Sequence, residues 1–197
     1  MAEHLRAVEV NLSCPNVQVD SSGSHVMFAH DENLTAQVMR ATAACGVPRW
    51  AKLSPNTDRL VQIAGVAHDA GADAVTLVNT ILAMVLDTDT GLPVLGSGGG
   101  GGLSGRGIHP IAVRAVYDVA AAYPQLPIIG VGGVASGRDA AELMCAGASA
   151  VQVGTATFAE PRAALRIARE LVKWAESHNI SQWSQVVGVA HRGGIGG

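Results

Sequence analysis

Five short apolar runs recur along the chain, at 7–11, 49–53, 74–78, 127–131 and 150–153, and each is separated from the next by a stretch suited to a helix. Runs this short and this apolar read as strands buried on both faces. The helix candidates lie at about 33–45, 57–70, 110–122, 137–146 and 161–178. Cap-type residues stand at their starts (Asp31, Thr57, Ser136), and Pro110 and Pro161 suit a first turn. Gly46, Gly71 and Gly147 sit just past three helix ends, where a left-handed residue is wanted. The passage Ala-Gly-Ala-Asp-Ala-Val at 70–75 returns as Ala-Gly-Ala-Ser-Ala-Val at 146–151, one helix-to-strand junction used twice. Successive β-helix-β units in one sheet imply parallel strands with right-handed crossovers. The expectation is a single α/β domain over 1–197. Two connections are long: a polar loop at 17–32 and a Gly-rich excursion at 80–109. Loops of that length at strand C-termini are usually lids or active-site walls.

Composition narrows the function. Hydrophobic residues make up 48% of the 197 and charged residues 15%, which suits a buried sheet. A net charge of −3 implies no general attraction to nucleic acid. Cys14, Cys45 and Cys145 form neither a metal spacing nor an even disulfide set, which suits a reducing cytosol, so a cytoplasmic location is expected. The first residues, Met1 to Arg6, lack the apolar core of a signal peptide, and no uninterrupted apolar run reaches membrane-spanning length.

The chemistry concentrates at strand ends. Val8 to Asn16 reads as a strand running into a polar turn, Asn11-Leu-Ser-Cys14-Pro15-Asn16. Pro15 cannot continue a central strand, so pairing should stop near Cys14. Asn11 and Asn16 can each donate and accept, as a ring bearing carbonyls and N–H groups requires. Cys14 can act as nucleophile or proton acceptor if its pKa is lowered; otherwise it is an inert buried thiol. Lys52 lies inside an apolar strand. It is either an edge lysine reaching solvent or a fixed cation facing an anionic ligand. Asn79 and Thr80 end the third strand with further amide and hydroxyl groups. Glycine clusters follow at 98–107, at 130–133 and at Gly154-Thr155. Glycine lets backbone N–H groups approach a phosphate, and two successive strands ending this way match the phosphate site of a TIM barrel. The alternative is tight βα turns alone. The cluster at 130–133 lacks the G-x-G-x-x-G of a Rossmann fingerprint.

These segments, in order, resemble class 1 dihydroorotate dehydrogenases, FMN-dependent (β/α)8 barrels of pyrimidine biosynthesis. The matching stretches are Asn-Leu-Ser-Cys-Pro-Asn at 11–16, Ala-Lys-Leu-Ser-Pro-Asn at 51–56, Val-Asn-Thr at 78–80, Gly-Gly-Leu-Ser-Gly at 101–105, Ile-Ile-Gly-Val-Gly-Gly-Val at 128–134 and Val-Gly-Thr-Ala at 153–156. The resemblance implies Cys14 as the base that removes a proton from C5 of dihydroorotate, while C6 delivers hydride to flavin N5. It implies FMN contacts from Asn11, Lys52, Val78, Gly105, Gly132, Gly133, Gly154 and Thr155. Lys52 would meet the flavin N1/O2 edge, and Gly132, Gly133, Gly154 and Thr155 its phosphate. Asn11, Asn16, Asn79 and Thr80 would hold the substrate.

The segment from Asn79 to Asp87 is similar to the class 1B pattern more than to the fumarate-using class 1A. Class 1B implies electron transfer to NAD through a separate subunit with FAD and an iron–sulfur cluster. A homo-oligomer is also expected. A dihydropyrimidine dehydrogenase-like or dihydrouridine synthase-like enzyme, and a non-catalytic flavin-binding module, are the competing readings. The family barrel has eight strands and the resemblance begins at the fourth, so an incomplete TIM barrel of five strands is expected. Its inner face is expected to be Val8, Val10, Ala51, Leu53, Val75 and Leu77. Such a chain alone is expected to associate, to bind FMN weakly and not to turn over dihydroorotate.

Overall fold

The computed structural model describes residues 4–13, 27–95 and 100–195. Its centre is a parallel sheet of β1 (Val8–Asn11), β2 (Arg49–Lys52), β3 (Ala74–Leu77), β6 (Ile128–Val131) and β7 (Ala150–Gln152), in that spatial order. The five strands coincide with the five apolar runs to within a residue or two at each end. Between β3 and β6 the chain forms a separate antiparallel hairpin of β4 (Ile81–Ala83) and β5 (Gly101–Leu103), paired Ile81 to Leu103. This hairpin lies in the stretch expected to be one long loop.

The connecting helices are α1 (Glu32–Ala41), α2 (Leu60–Asp69), α3 (His109–Ala122) and α4 (Gly137–Ala146), with a short α5 (Ala156–Ala159) and then α6 (Ala163–Ser177) after β7. Two starts are set by caps: Asp31 accepts from the Leu34 N–H at 2.8 Å and Ser136 from the Asp139 N–H at 3.2 Å. Pro110 occupies the first turn of α3. Thr57 does not begin α2. Its hydroxyl accepts from the Arg59 N–H, making a turn that delays the helix to Leu60. Gly46, Gly71 and Gly147 all take positive φ after their helices. Among the described residues no helix is long and apolar enough to cross a membrane.

The register reverses the expected inner face. Val10, Ala51, Val75 and Ile128 align across neighbouring strands and share one side of the sheet. That side is the helix-facing core: Ala51, Leu53, Val75 and Leu77 are fully buried in a cluster with Ile63, Ala67, Val116 and Leu143. Val8 pairs with Arg49, whose guanidinium bonds the Met39 and Gly71 carbonyls on this same side. The inner face is built from the alternate residues, Glu9, Asn11, Lys52, Thr76, Ile129 and Gln152, and much of it is polar. It curls enough for Gln152 on β7 to bond Glu9 on β1 at 2.9 Å, joining the two ends of the sheet order. This curl is that of an incomplete barrel.

At Gly137, the first residue of α4, the helix packs directly against the backbone of α6. A Cβ there would press into the α6 backbone at Glu170 and Leu171. Gly→Ala in a helix normally stabilises by about 0.5–1 kcal/mol. Here Gly137→Ala should destabilise by about 1–3 kcal/mol, the usual cost of overpacking. Denaturant unfolding checks this; an unchanged or raised midpoint would show that α6 yields freely.

Candidate active site

Because the sheet strands run parallel, all of them end on one rim, and their terminal residues meet there. A cleft of about 470 Å³ opens on that rim. It is lined by Lys52 from the end of β2, Val78, Asn79 and Thr80 after β3, Gly105 after β5, Gly132 and Gly133 after β6, and Gly154 and Thr155 after β7. Of the eight residues expected to contact one cofactor, seven therefore share one cavity. Asn11 lies beside it rather than in its lining. Cys14, Asn16 and residues 17–26 of the first long loop fall outside the described residues.

The β1 and β3 ends are tied together. The Asn79 side-chain amide donates to Ser13 Oγ at 2.8 Å, and to the Ser13 carbonyl and Asn11 Oδ1 at 3.2 Å each. Ser13 is buried, and its hydroxyl reaches the Lys52 carbonyl. The residue preceding Cys14 is thus anchored to both β2 and β3. Asn79 Oδ1 is also engaged, by the Thr80 N–H. Asn79 is consequently an anchor of the site, whereas the Thr80 hydroxyl donates no hydrogen bond among the described residues. Asn56 fixes the start of the hairpin arm by donating to the Thr80 carbonyl and accepting from the Leu82 N–H.

The loop after β6 is held from behind. His109 Nδ1 donates to the Gly132 carbonyl at 2.8 Å, and its Nε2 faces Glu142 at 3.2 Å. Asp139 accepts from the Ala135 N–H, Glu170 accepts from the Gly137 N–H, and Arg166 donates to the Ala135 carbonyl. Asp139 is kept below the usual carboxylate range: burial pushes it up, but hydrogen bonds from Ala135 and Ser136 and the nearby His109 outweigh that. With these groups occupied, the N–H groups of Gly133, Val134, Gly154 and Thr155 meet no acceptor among the described residues, and all four residues line the cleft. Thr155 Oγ1 donates to Ser104 Oγ at 2.8 Å, which joins the β7 loop to the hairpin. Gly133 has φ +68°, and a Cβ there would meet His109 at 2.7 Å, whereas Gly154 has open space around it.

Lys52 is no edge lysine reaching solvent, since its ammonium bonds Glu9 Oε1 at 3.1 Å with only 18% of its side chain exposed. Glu9 Oε2 accepts from Thr76 Oγ1 at 2.8 Å and from Gln152 Nε2 at 2.9 Å. Neither Glu9 nor His109 was identifiable from local motifs. Glu9 stood within an apolar run, and His109 was a lone histidine at a helix start.

One family model, described as "Dihydroorotate dehydrogenase", matches residues 1–174. The "Dihydroorotate dehydrogenase B (NAD(+)), catalytic subunit" of Geobacter sp. is 45% identical over 182 residues, covering 92% of this chain and 58% of that protein. A Solibacter usitatus protein provisionally named dihydroorotate dehydrogenase A (fumarate) is 46% identical, covering 93% of this chain and 59% of its own length. The crystal structure of DHODH from Eimeria tenella with ferulenol superposes with a TM-score of 0.77 at 24% identity, over 95% of this chain and 54% of that one, a likeness of fold. The chain thus spans somewhat over half the length of the relatives it matches.

Glu9 makes the acid limb of stability readable. Its folded pKa lies below the ordinary value of 4.5: burial pushes it up, but hydrogen bonds from Gln152 and Thr76 and the Lys52 charge prevail. A carboxyl lowered in the folded state stabilises fully above that ordinary value, and the contribution is lost as pH falls through the folded pKa. Glu9→Gln should therefore be less stable near pH 7, and its disadvantage should shrink below about pH 4.5. Thermal unfolding from pH 3 to 7 tests it; parallel curves for the two proteins would contradict it.

Proposed function

The chain belongs to the dihydroorotate dehydrogenase family, and on that premise we propose that its cleft binds FMN and oxidises dihydroorotate to orotate in pyrimidine synthesis. The observation that carries this reading is the convergence of Lys52, Thr80, Gly105, Gly133 and Gly154 on one cavity at the strand C-termini. The residues present fit that cofactor. About 470 Å³ is within the range of small-molecule sites. Val78, Ile108 and Val131 offer apolar walls for a ring system. The N–H groups of Gly133, Val134, Gly154 and Thr155 offer donors for a phosphate. Lys52 offers a cation where the ring's edge gains negative charge.

When bound, the flavin supplies the acceptor for the hydride that leaves C6 of the substrate. The protein's own part is proton removal and orientation. Cys14 takes the proton from C5. The Asn79–Ser13 bonds hold the strand end from which Cys14 follows. The Thr80 hydroxyl and the amides of Asn11 and Asn16 read the carbonyls and N–H groups of the pyrimidine ring, while Asn79 orients Asn11. A partner subunit carrying FAD and an iron–sulfur cluster would take up the electrons and hand them to NAD, in the cytoplasm. The name "catalytic subunit" borne by the Geobacter relative and the Asn79–Asp87 segment support that route. The hairpin arm supports contacts with other chains, including a second copy. Leu82, Met84, Val85, Leu86, Leu92, Val94 and Leu95 on it are all about half exposed or more.

In a chain carrying all eight βα units, Cys14→Ala should keep its flavin and lose about 10² to 10⁴ in the rate of flavin reduction by dihydroorotate near neutral pH. Stopped-flow absorbance measures this, and undiminished reduction would remove Cys14 from the role. The phosphate site is better tested at Gly154 than at Gly133, because Gly133 is also required by its φ and its contact with His109. Gly154→Asp should fold normally and purify with little flavin, since it sets a negative charge against the phosphate. Full flavin content in that variant would place the phosphate elsewhere.

A further inference from the structure

We propose that Glu9 is a positioning residue, which fixes Lys52 in the cleft and offsets part of its charge, and so sets how strongly the bound cofactor holds electrons. The inference rests on the reading of the cleft as a flavin site. Glu9 is on the inner face of β1 and is not among the residues that line the cleft, so it acts through Lys52. Lys52 has three ammonium hydrogens and, among the described residues, one acceptor, Glu9 Oε1 at 3.1 Å. Its remaining donors are available to a ligand.

The carboxylate itself cannot swing away. Its other oxygen is held by the Thr76 hydroxyl at 2.8 Å and the Gln152 amide at 2.9 Å, and Thr76 is fully buried. Three strands thus converge on one carboxylate whose single ionic partner among the described residues is the cleft's lysine. Satisfying an inner-face polar position would not need a full negative charge; an amide oxygen could still accept from Thr76 and Gln152, though less strongly. The charge matters to Lys52. A bare ammonium favours extra negative charge on a ring beside it, and a paired one favours it less. With 27% of the Glu9 side chain exposed, solvent screens this only in part.

The test uses a flavin-loaded chain carrying all eight βα units and the reduction potential of its flavin, measured by dye equilibration at one pH. Glu9→Gln should retain flavin and shift the equilibrium toward the reduced form on the order of tenfold, about 30 mV less negative for a two-electron couple. Glu9→Asp keeps the charge but lengthens the ion pair, so it should shift the same way by less. Thr76→Val loses a hydrogen bond to the same carboxylate but keeps the ion pair, and should stay within twofold of wild type. A Glu9→Gln potential within twofold of wild type overturns the proposal. So does a Thr76→Val shift as large as that of Glu9→Gln, which would mean that any loosening of the inner face moves the potential. If Glu9→Gln does not fold, Glu9→Asp decides alone, and an unmoved potential there counts against the proposal. A wild-type protein without flavin refutes the flavin reading, and this inference with it, before any variant is compared.

Discussion

Parallel strand direction is the constraint from which the rest follows. Once β1, β2, β3, β6 and β7 run the same way, their C-terminal ends share a rim, and each connecting segment must begin there. Residues far apart in sequence, such as Lys52 and Thr155, become neighbours around one cleft. The return helices cover the outer face, where Leu53, Val75 and Ile128 are buried with Ile63 and Val116. The two faces therefore differ in kind: an apolar one that supplies the hydrophobic stabilisation and a polar inner one that carries charge.

That inner polarity is satisfied within the sheet. Glu9 is met by groups from β2, β3 and β7, and among the described residues no buried side-chain nitrogen or oxygen lacks a partner. A satisfied network in a low-dielectric interior is rigid, and the loss of one member leaves the others exposed to a desolvation penalty. The same logic holds the β6 loop. His109, Asp139, Arg166 and Glu170 occupy its outward groups, so that Gly133 and Val134 keep N–H donors for the cleft.

Much of this was legible in the amino-acid order. Strands appeared as largely apolar runs because their helix-facing side must be buried, and helix ends appeared as Asp31, Ser136 and the glycines because caps and left-handed residues are local chemistry. Seven of the eight residues expected around one cofactor line the same cavity. What failed was the side of the sheet. Apolar residues at every other position were assigned to the barrel interior, when the helix-facing side is the more apolar one. Glu9, Asn11, Lys52 and Thr76 on the alternate positions carried that information. The β4–β5 hairpin was missed because Gly101-Gly102-Leu103 has no strand propensity, and its pairing with Ile81–Ala83 is a tertiary fact. His109 and Glu142 lie 33 residues apart, and local spacing does not reveal such a pair.

Substrate choice tests the account most directly. The measurement is anaerobic titration of a purified chain carrying all eight βα units with dihydroorotate and, separately, with dihydrouracil, following the flavin absorbance. The account predicts a yellow protein that dihydroorotate bleaches in proportion to bound flavin, with dihydrouracil leaving it unchanged. A colourless protein, or one bleached by dihydrouracil and not by dihydroorotate, would contradict it.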